Sequence, residues 1–248
     1  MSKQAPKVIV LDLDDTIGHF EQVSVFLKGL QNIIGVEYLR DEYVLELFDL
    51  WPNIFRRGIM EFFKLIIYKK RNGANIRVIV YTNNMGPRSW TLLITKYIEY
   101  KLKSKIFDQV ITAYSQTESD NTRSTYQKTY SDLMRITGTG LDTRFIFYDD
   151  QIHDGMKHYN INYALLYPYI YRIPFIDMIT SYLNSKLVKP LSVKKRRNFI
   201  DNMYRHLASV LFDNHTKPSD TVIRDIKQIE TMTSDLDVFL NTSRNDVF

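Results

Sequence analysis

Residues 8–16 read Val8-Ile9-Val10-Leu11-Asp12-Leu13-Asp14-Asp15-Thr16, and the fold is decided here. A short β-branched apolar run that stops at an acidic turn is the pattern of a buried strand leaving the core for a polar loop. Side chains alternate along a strand, so Asp12 and Asp14 share a face while Leu13 points away. Two carboxylates in one small volume repel unless a cation lies between them. Magnesium suits such a place, because it takes oxygen ligands at about 2.0–2.1 Å and keeps several waters. One carboxylate can form an aspartyl-phosphate, and the other can protonate the leaving alkoxide and then activate water. A D-x-D pair alone is a common strand-to-loop turn. The apolar strand before it and Thr16 after it favour the chemical reading.

Outward from this stretch the pattern repeats. Arg77–Tyr81 (RVIVY) is a second buried strand and runs into Thr82-Asn83-Asn84. Arg144–Tyr148 (RFIFY) is a third and ends at Asp149-Asp150. Gln109–Ala113 is a weaker strand, and a last short one is expected near Tyr163–Tyr167. Between them lie helical stripes. Residues 21–34 carry Val23, Phe26, Leu27, Leu30 and Ile34 and close at Gly35; residues 57–70 close at Asn72-Gly73. Pro87 suits the first turn of a helix through about Lys103, and another spans about 125–136 before Thr137-Gly138-Thr139-Gly140. Residues 115–124 read as a polar loop.

Strands alternating with helices imply an α/β protein, a Rossmann-like parallel sheet covered by helices on both faces. Such sheets bind ligands at the carboxyl ends of their strands. The clusters 12–16, 82–84 and 149–150 each fall at such an end. After about residue 170 the chain becomes helical and amphipathic, with breaks at Pro190 and near 214–219. The organisation expected is therefore a core over 1–170 and a helical extension over 171–248.

Thr82 and Asn83 offer a hydroxyl, an amide and backbone N–H groups where a phosphoryl oxygen could be held. Asp149 and Asp150 can complete a magnesium shell directly or through water. Phosphoryl transfer also calls for a cation against the charge on the equatorial oxygens. Lys128, placed just inside the 125–136 helix, is the candidate, with Arg123 second and Lys157 third. The run Lys194-Lys195-Arg196-Arg197 fits nucleic acid or a localisation signal, but more often such a run is a solvated helix face. His19, His153 and His158 show no metal-ligand spacing.

Composition adds limits. The 248 residues are 44% apolar and 25% charged, an ordinary globular balance able to bury a sizeable core. There is no cysteine, which excludes disulfides, thiolate metal sites and a cysteine nucleophile. The net charge of +5 fits a phosphorylated or nucleic-acid partner, though only as a weak hint. No signal peptide and no apolar run of membrane-spanning length is seen, so an intracellular protein of cytoplasm or nucleus, without a membrane partner, is expected.

Taken in order, these residues resemble the haloacid dehalogenase superfamily. VIVLDLDDT looks like its first motif, VIVYTN its second, Lys128 its third and FIFYDD its fourth, separated by about 70, 46 and 21 residues. That spacing resembles a member with a small cap or none. A nearer resemblance is to the phosphatases of the RNA polymerase II C-terminal domain, the NLI-interacting-factor-like family. It rests on Phe55-Arg56-Arg57-Gly58-Ile59-Met60-Glu61-Phe62-Phe63, Tyr126-Gln127-Lys128 and Asn162-Tyr163-Ala164. The chain departs from that family at Arg57, where proline is usual, at Asp150, where asparagine is usual, and in the short 104–124 stretch where a substrate-binding insertion lies. Large DNA viruses encode compact relatives of this kind.

The resemblance implies Asp12 as nucleophile, Asp14 as acid/base, and Thr82 and Lys128 as phosphate contacts. It also implies Mg2+ held by Asp12, the Asp14 carbonyl, and Asp149 or Asp150. The function expected is a phosphomonoesterase for phosphoserine or phosphothreonine of a protein, with the transcription machinery as one setting and residues 171–248 as a partner-binding extension. A nucleotide or polynucleotide-end phosphatase, and a non-catalytic scaffold that keeps the fold, are the alternatives.

Overall fold

The computed structural model describes residues 7–114, 123–213 and 218–242. The polar loop expected at 115–124 lies mostly outside them. Five strands form one parallel sheet: β1 (Lys7–Leu11), β2 (Ile76–Tyr81), β3 (Gln109–Ile111), β4 (Arg144–Asp149) and β5 (Ile161–Leu165). Their order is β3-β2-β1-β4-β5, with Leu11 aligned to Val80 on one side and to Tyr148 on the other. Successive strands run outward from β1 in both directions, so the topological switch lies between β1 and β4. A crevice opens there, outside the carboxyl ends of the strands.

The helices are α1 (Glu21–Ile34), α2 (Asp41–Phe48), α3 (Ile59–Arg71), α4 (Arg88–Leu102), α5 (Tyr130–Thr137), α6 (Phe175–Leu183), α7 (Val193–Ala208) and α8 (Pro218–Asn241). No described helix is long and apolar enough to cross a membrane. α5 begins five residues later than its apolar pattern suggests. Thr129 is its N-cap, with Oγ1 accepting from the Asp132 N–H at 3.2 Å, so Lys128 precedes the helix instead of lying inside it.

The chain divides into two compact units. The first holds the sheet with residues 56–169 and, among the described residues, 7–17 and 220–242. On one face Val8, Val10, Ile79, Tyr81, Phe145 and Phe147 pack with Leu133 and Ile136 of α5. The alternate residues face the other way, where the Tyr148 ring meets Phe62 of α3 edge-on at 5.6 Å and its hydroxyl donates to the Met232 carbonyl of α8 at 3.0 Å. α8 buries Met232, Leu236 and Phe239 almost completely. The Lys7 ammonium of β1 donates to the Phe239, Leu240 and Thr242 carbonyls at 2.9, 2.5 and 3.0 Å, a cation at the negative end of the helix.

The second unit comprises 18–55 and, among the described residues, 170–213 and 218–219, and so contains α1, α2, α6 and α7. Phe26 meets Trp51 and Tyr182 edge-on at 5.0 and 5.3 Å, and Tyr182 stacks on Phe199. Gly29 lets α1 and α7 approach closely, since a Cβ there would meet the His206 ring at 2.4 Å. Of the stretch 171–248, expected as one helical extension, the described residues are thus shared between the two units. The basic run 194–197 forms the first turn of α7, where Arg196 donates to the Asn184 amide oxygen at 2.7 Å and the other three side chains are exposed.

Candidate active site

The three polar clusters meet at the carboxyl edge of the sheet. Asp12 follows β1 directly, its N–H donating to the Tyr148 carbonyl at 2.9 Å, and Asp149 is the last residue of β4. Thr82 follows β2, its N–H bonded to the Ile111 carbonyl at 3.0 Å. Strand register alone therefore carries these groups to one place. Asp12, Asp14, Thr82, Asn83, Lys128, Asp149, Gln151 and His153 line a single cleft.

Lys128 supplies the cation of the cluster. Its buried ammonium donates to Asp12 Oδ1 at 2.5 Å and to Asp149 Oδ2 at 2.7 Å, and it lies 5.6 Å from the centre of the Phe147 ring. Burial disfavours the charged form of Lys128, but the charges of Asp12 and Asp149 outweigh it and hold the pKa above the ordinary lysine value. For Asp149 burial pushes upward, yet the His153 and Lys128 contacts prevail and keep it below the usual range. His153 Nε2 stands 3.3 Å from Asp149 Oδ2. Asp12 goes the other way: burial first, with Asp149 and Asp14 adding repulsion, raises it to about 7 despite Lys128. Asp150 is raised to about 6 by burial and by the charges of Asp149 and Asp15.

Donor chemistry decides which ion such a site fits. Carboxylate oxygens of Asp12, Asp149 and Asp150 lie within 4.8 Å of one another. They are hard oxygen donors without a nitrogen or sulfur among them, and two of the three resist ionising without a further positive charge. A divalent oxygen-seeking cation of the magnesium type matches that set. The Asp14 carboxylate stands outside this trio, its Oδ2 accepting from the Asn84 side chain at 2.7 Å. Asp150 is braced by Thr16, whose Oγ1 donates to Asp150 Oδ1 at 3.2 Å and accepts from its N–H at 3.1 Å.

Arg123 and Lys157 sit elsewhere. Arg123 is buried against the Tyr81 ring, 5.0 Å from its centre, and donates to the Thr82 carbonyl at 3.2 Å and to Asn83 Oδ1 at 2.6 Å. It braces the turn after β2. Lys157 pairs with Asp154 at the exposed surface. Thr82 Oγ1 accepts from the Asn84 N–H at 3.0 Å, closing the turn. Three neighbours of the site were not legible from sequence. His153 and Gln151 belong to an irregular segment after Asp149 with no periodicity to mark it. Asn84, recognised only as a turn residue, proves to hold the Asp14 carboxylate. His158 stacks on Tyr130 at 3.7 Å, away from the acidic cluster's hydrogen bonds.

Fold and site together define an α/β protein with a lysine-bridged acidic cluster at the sheet's switch point. No family model and no curated protein matches the chain. Among solved structures it is similar to a HAD-superfamily hydrolase from Ehrlichia chaffeensis (14% identity, TM-score 0.36, covering 82% of this chain and 100% of that one). It is also similar to the HAD domain of the effector protein Lem4 from Legionella pneumophila, an inactive mutant (8%, 0.40, 84% and 100%). A third is a HAD-superfamily hydrolase of subfamily IA, variant 1, from Geobacter sulfurreducens PCA (16%, 0.33, 62% and 82%). None reaches a TM-score of 0.5, so the chemistry is read from the site's own atoms.

Proposed function

We propose that the protein is a phosphomonoesterase of the haloacid dehalogenase type, with Asp12 as nucleophile and phosphoserine or phosphothreonine of a protein as substrate. The observation that carries the reading is the Asp12–Lys128–Asp149 bridge at the carboxyl edge, with Asp14 beside it at the same strand end. A buried carboxylate that keeps one ammonium partner is oriented and desolvated, as a nucleophile toward phosphorus should be.

Asp12 attacks phosphorus in line and the bond to the leaving oxygen breaks. Asp14, held by Asn84, gives that oxygen its proton. The same carboxylate then takes a proton from water, the resulting hydroxide attacks phosphorus, and free phosphate leaves as the Asp12 carboxylate is restored. Lys128 and the Thr82 hydroxyl face the charge spread over the equatorial oxygens. Mg2+, when bound, would be held by Asp12, Asp149 and Asp150 and would offset the charge of the phosphoryl group.

Hydrolysis of an aryl phosphate with and without Mg2+, then of a phosphopeptide and a 3′-phosphorylated oligonucleotide, tests this. Metal-dependent turnover that prefers the peptide and disappears in Asp14→Asn supports it. Preference for the oligonucleotide would replace the substrate class, and no turnover on any of them would leave the scaffold reading in its place.

A further inference from the structure

Arg56 is one of the most completely buried large side chains of the protein, 1% exposed, and the proposed chemistry makes no use of it. A buried guanidinium ordinarily takes a carboxylate in a two-pronged pair. This one takes backbone carbonyls. Nε donates to Thr16 O at 2.5 Å, and Nη2 donates to Asp15 O at 2.6 Å and to Tyr167 O at 2.8 Å. Its Cζ lies 5.4 Å from the centre of the Tyr169 ring. Nη1 has no hydrogen-bond partner among the described residues.

Two of the carbonyls, of Asp15 and Thr16, belong to a turn that needs holding. Asp15 has φ 57°, the left-handed region that a residue with a side chain seldom enters. That conformation reverses the chain between Asp14, in the cleft, and Thr16, which braces Asp150. Besides Arg56, the Asp15 carbonyl accepts from the Tyr169 N–H at 2.8 Å. The 167–169 segment is fixed in turn by α8: Gln228 Oε1 accepts from the Tyr167 N–H at 3.0 Å, and the Arg224 guanidinium lies 5.6 Å from the centre of the Tyr167 ring. Asp225, buried on α8, feels the charges of Arg56 and Arg224.

We propose that Arg56 is a positioning residue, clamping the Asp15–Thr16 turn to the Tyr167–Tyr169 segment and α8 so that Asp14 and Thr16 are held in register with Asp12. The inference rests on the phosphatase reading for its kinetic consequence, but not for its structural one. Only a guanidinium fits, because three carbonyls fan around one edge of a planar donor set; an ammonium reaches them with one point charge and no fixed plane.

The test compares full-length wild type, Arg56→Met, Arg56→Lys and Gln228→Leu by hydrogen exchange and by steady-state hydrolysis of an aryl phosphate. Expected for Arg56→Met is faster exchange at the amides of 14–17 with β1 and β2 still protected, and a kcat at least tenfold lower with KM within about twofold. Arg56→Lys should fall between. Should Arg56→Met not fold, Gln228→Leu carries the same expectation in milder form, with exchange raised at 167–169 and 14–17. Unchanged exchange at 14–17, or a kcat per folded molecule equal to wild type, overturns the proposal. If wild type hydrolyses nothing, the phosphatase reading fails while the exchange result still decides the clamp.

Discussion

Asp12 carries two opposed demands. As a nucleophile it must be ionised, yet burial and the neighbouring charges of Asp149 and Asp14 push its pKa to about 7. A group so placed costs stability in the metal-free protein, the usual bargain at a catalytic position. Asp12→Asn keeps the shape, removes one of the crowded charges and leaves Lys128 bonded to Asp149. The variant is expected to lose all turnover while its metal-free melting midpoint rises by about 2–4 °C, the equivalent of about 1 kcal/mol at this size. Differential scanning calorimetry in chelator, beside an aryl phosphate assay, reads both. A lower midpoint would mean that the Asp12–Lys128 bond outweighs the crowding. Lys128 shows where sequence reasoning stops. Its place before the third strong strand singles it out as a cation, but its two bonds, to residues 116 and 21 positions away, are encoded in no local pattern.

Among the elements, the strands were legible and the helix ends less so. β1, β2 and β4 each carry a four-residue apolar run, Val8–Leu11, Val78–Tyr81 and Phe145–Tyr148, because both faces of the sheet are covered, and an apolar run bounded by polar turns is hard to misread. The start of α5 lies at a signal the sequence carries, since Thr129-Tyr130-Ser131-Asp132 is a capping pattern and the Thr129 side chain accepts from the Asp132 N–H; the apolar stripe alone runs past it. α2 (Asp41–Phe48), too short for its stripe to stand out, went unread. The destination of α8 was the largest gap. Its amphipathic pattern announces a buried face but not the partner, and the structure lays that face on the first unit. Lys7 joins the two, so Lys7→Met removes three charge-assisted bonds at the C-terminus of α8. The expected cost is about 1.5–3 kcal/mol, discounted toward the lower end because the side chain is only partly buried. A urea midpoint measured beside Lys69→Met checks it. Lys69 contacts the same helix through the partly exposed pair with Asp237 at 2.7 Å, and its loss should cost less than about 1 kcal/mol. Equal losses in the two variants would sink the argument.

At the scale of the whole molecule the acidic cluster links stability, pH and metal. Asp12 and Asp150 have folded-state pKa values near 7 and 6, above the ordinary 3.8 of an unfolded aspartate. Between about pH 4 and 7 the folded chain therefore holds protons that the unfolded chain has released. Stability rises with pH only where the unfolded state binds more protons, so here these two groups make it fall. Asp149 and Asp132, both lowered, act in the opposite sense, but their contribution is lost only below the ordinary aspartate value, outside this window. In chelator the melting midpoint should thus decline from pH 5 to pH 8. Magnesium must displace the same protons, so its stabilisation should grow over the same interval. With the ion at ten times its dissociation constant the gain is about 1.4 kcal/mol, or about 3–5 °C. Thermal scans at pH 5 and pH 8, each with 10 mM MgCl2 and with chelator, give four midpoints. The prediction is a magnesium shift at pH 8 at least twice that at pH 5, and little shift at either pH for Asp150→Ala, which removes the oxygen donor that asparagine would keep. A shift that is the same at both pH values, or one that survives unchanged in Asp150→Ala, would place the ion somewhere other than the Asp12–Asp149–Asp150 trio.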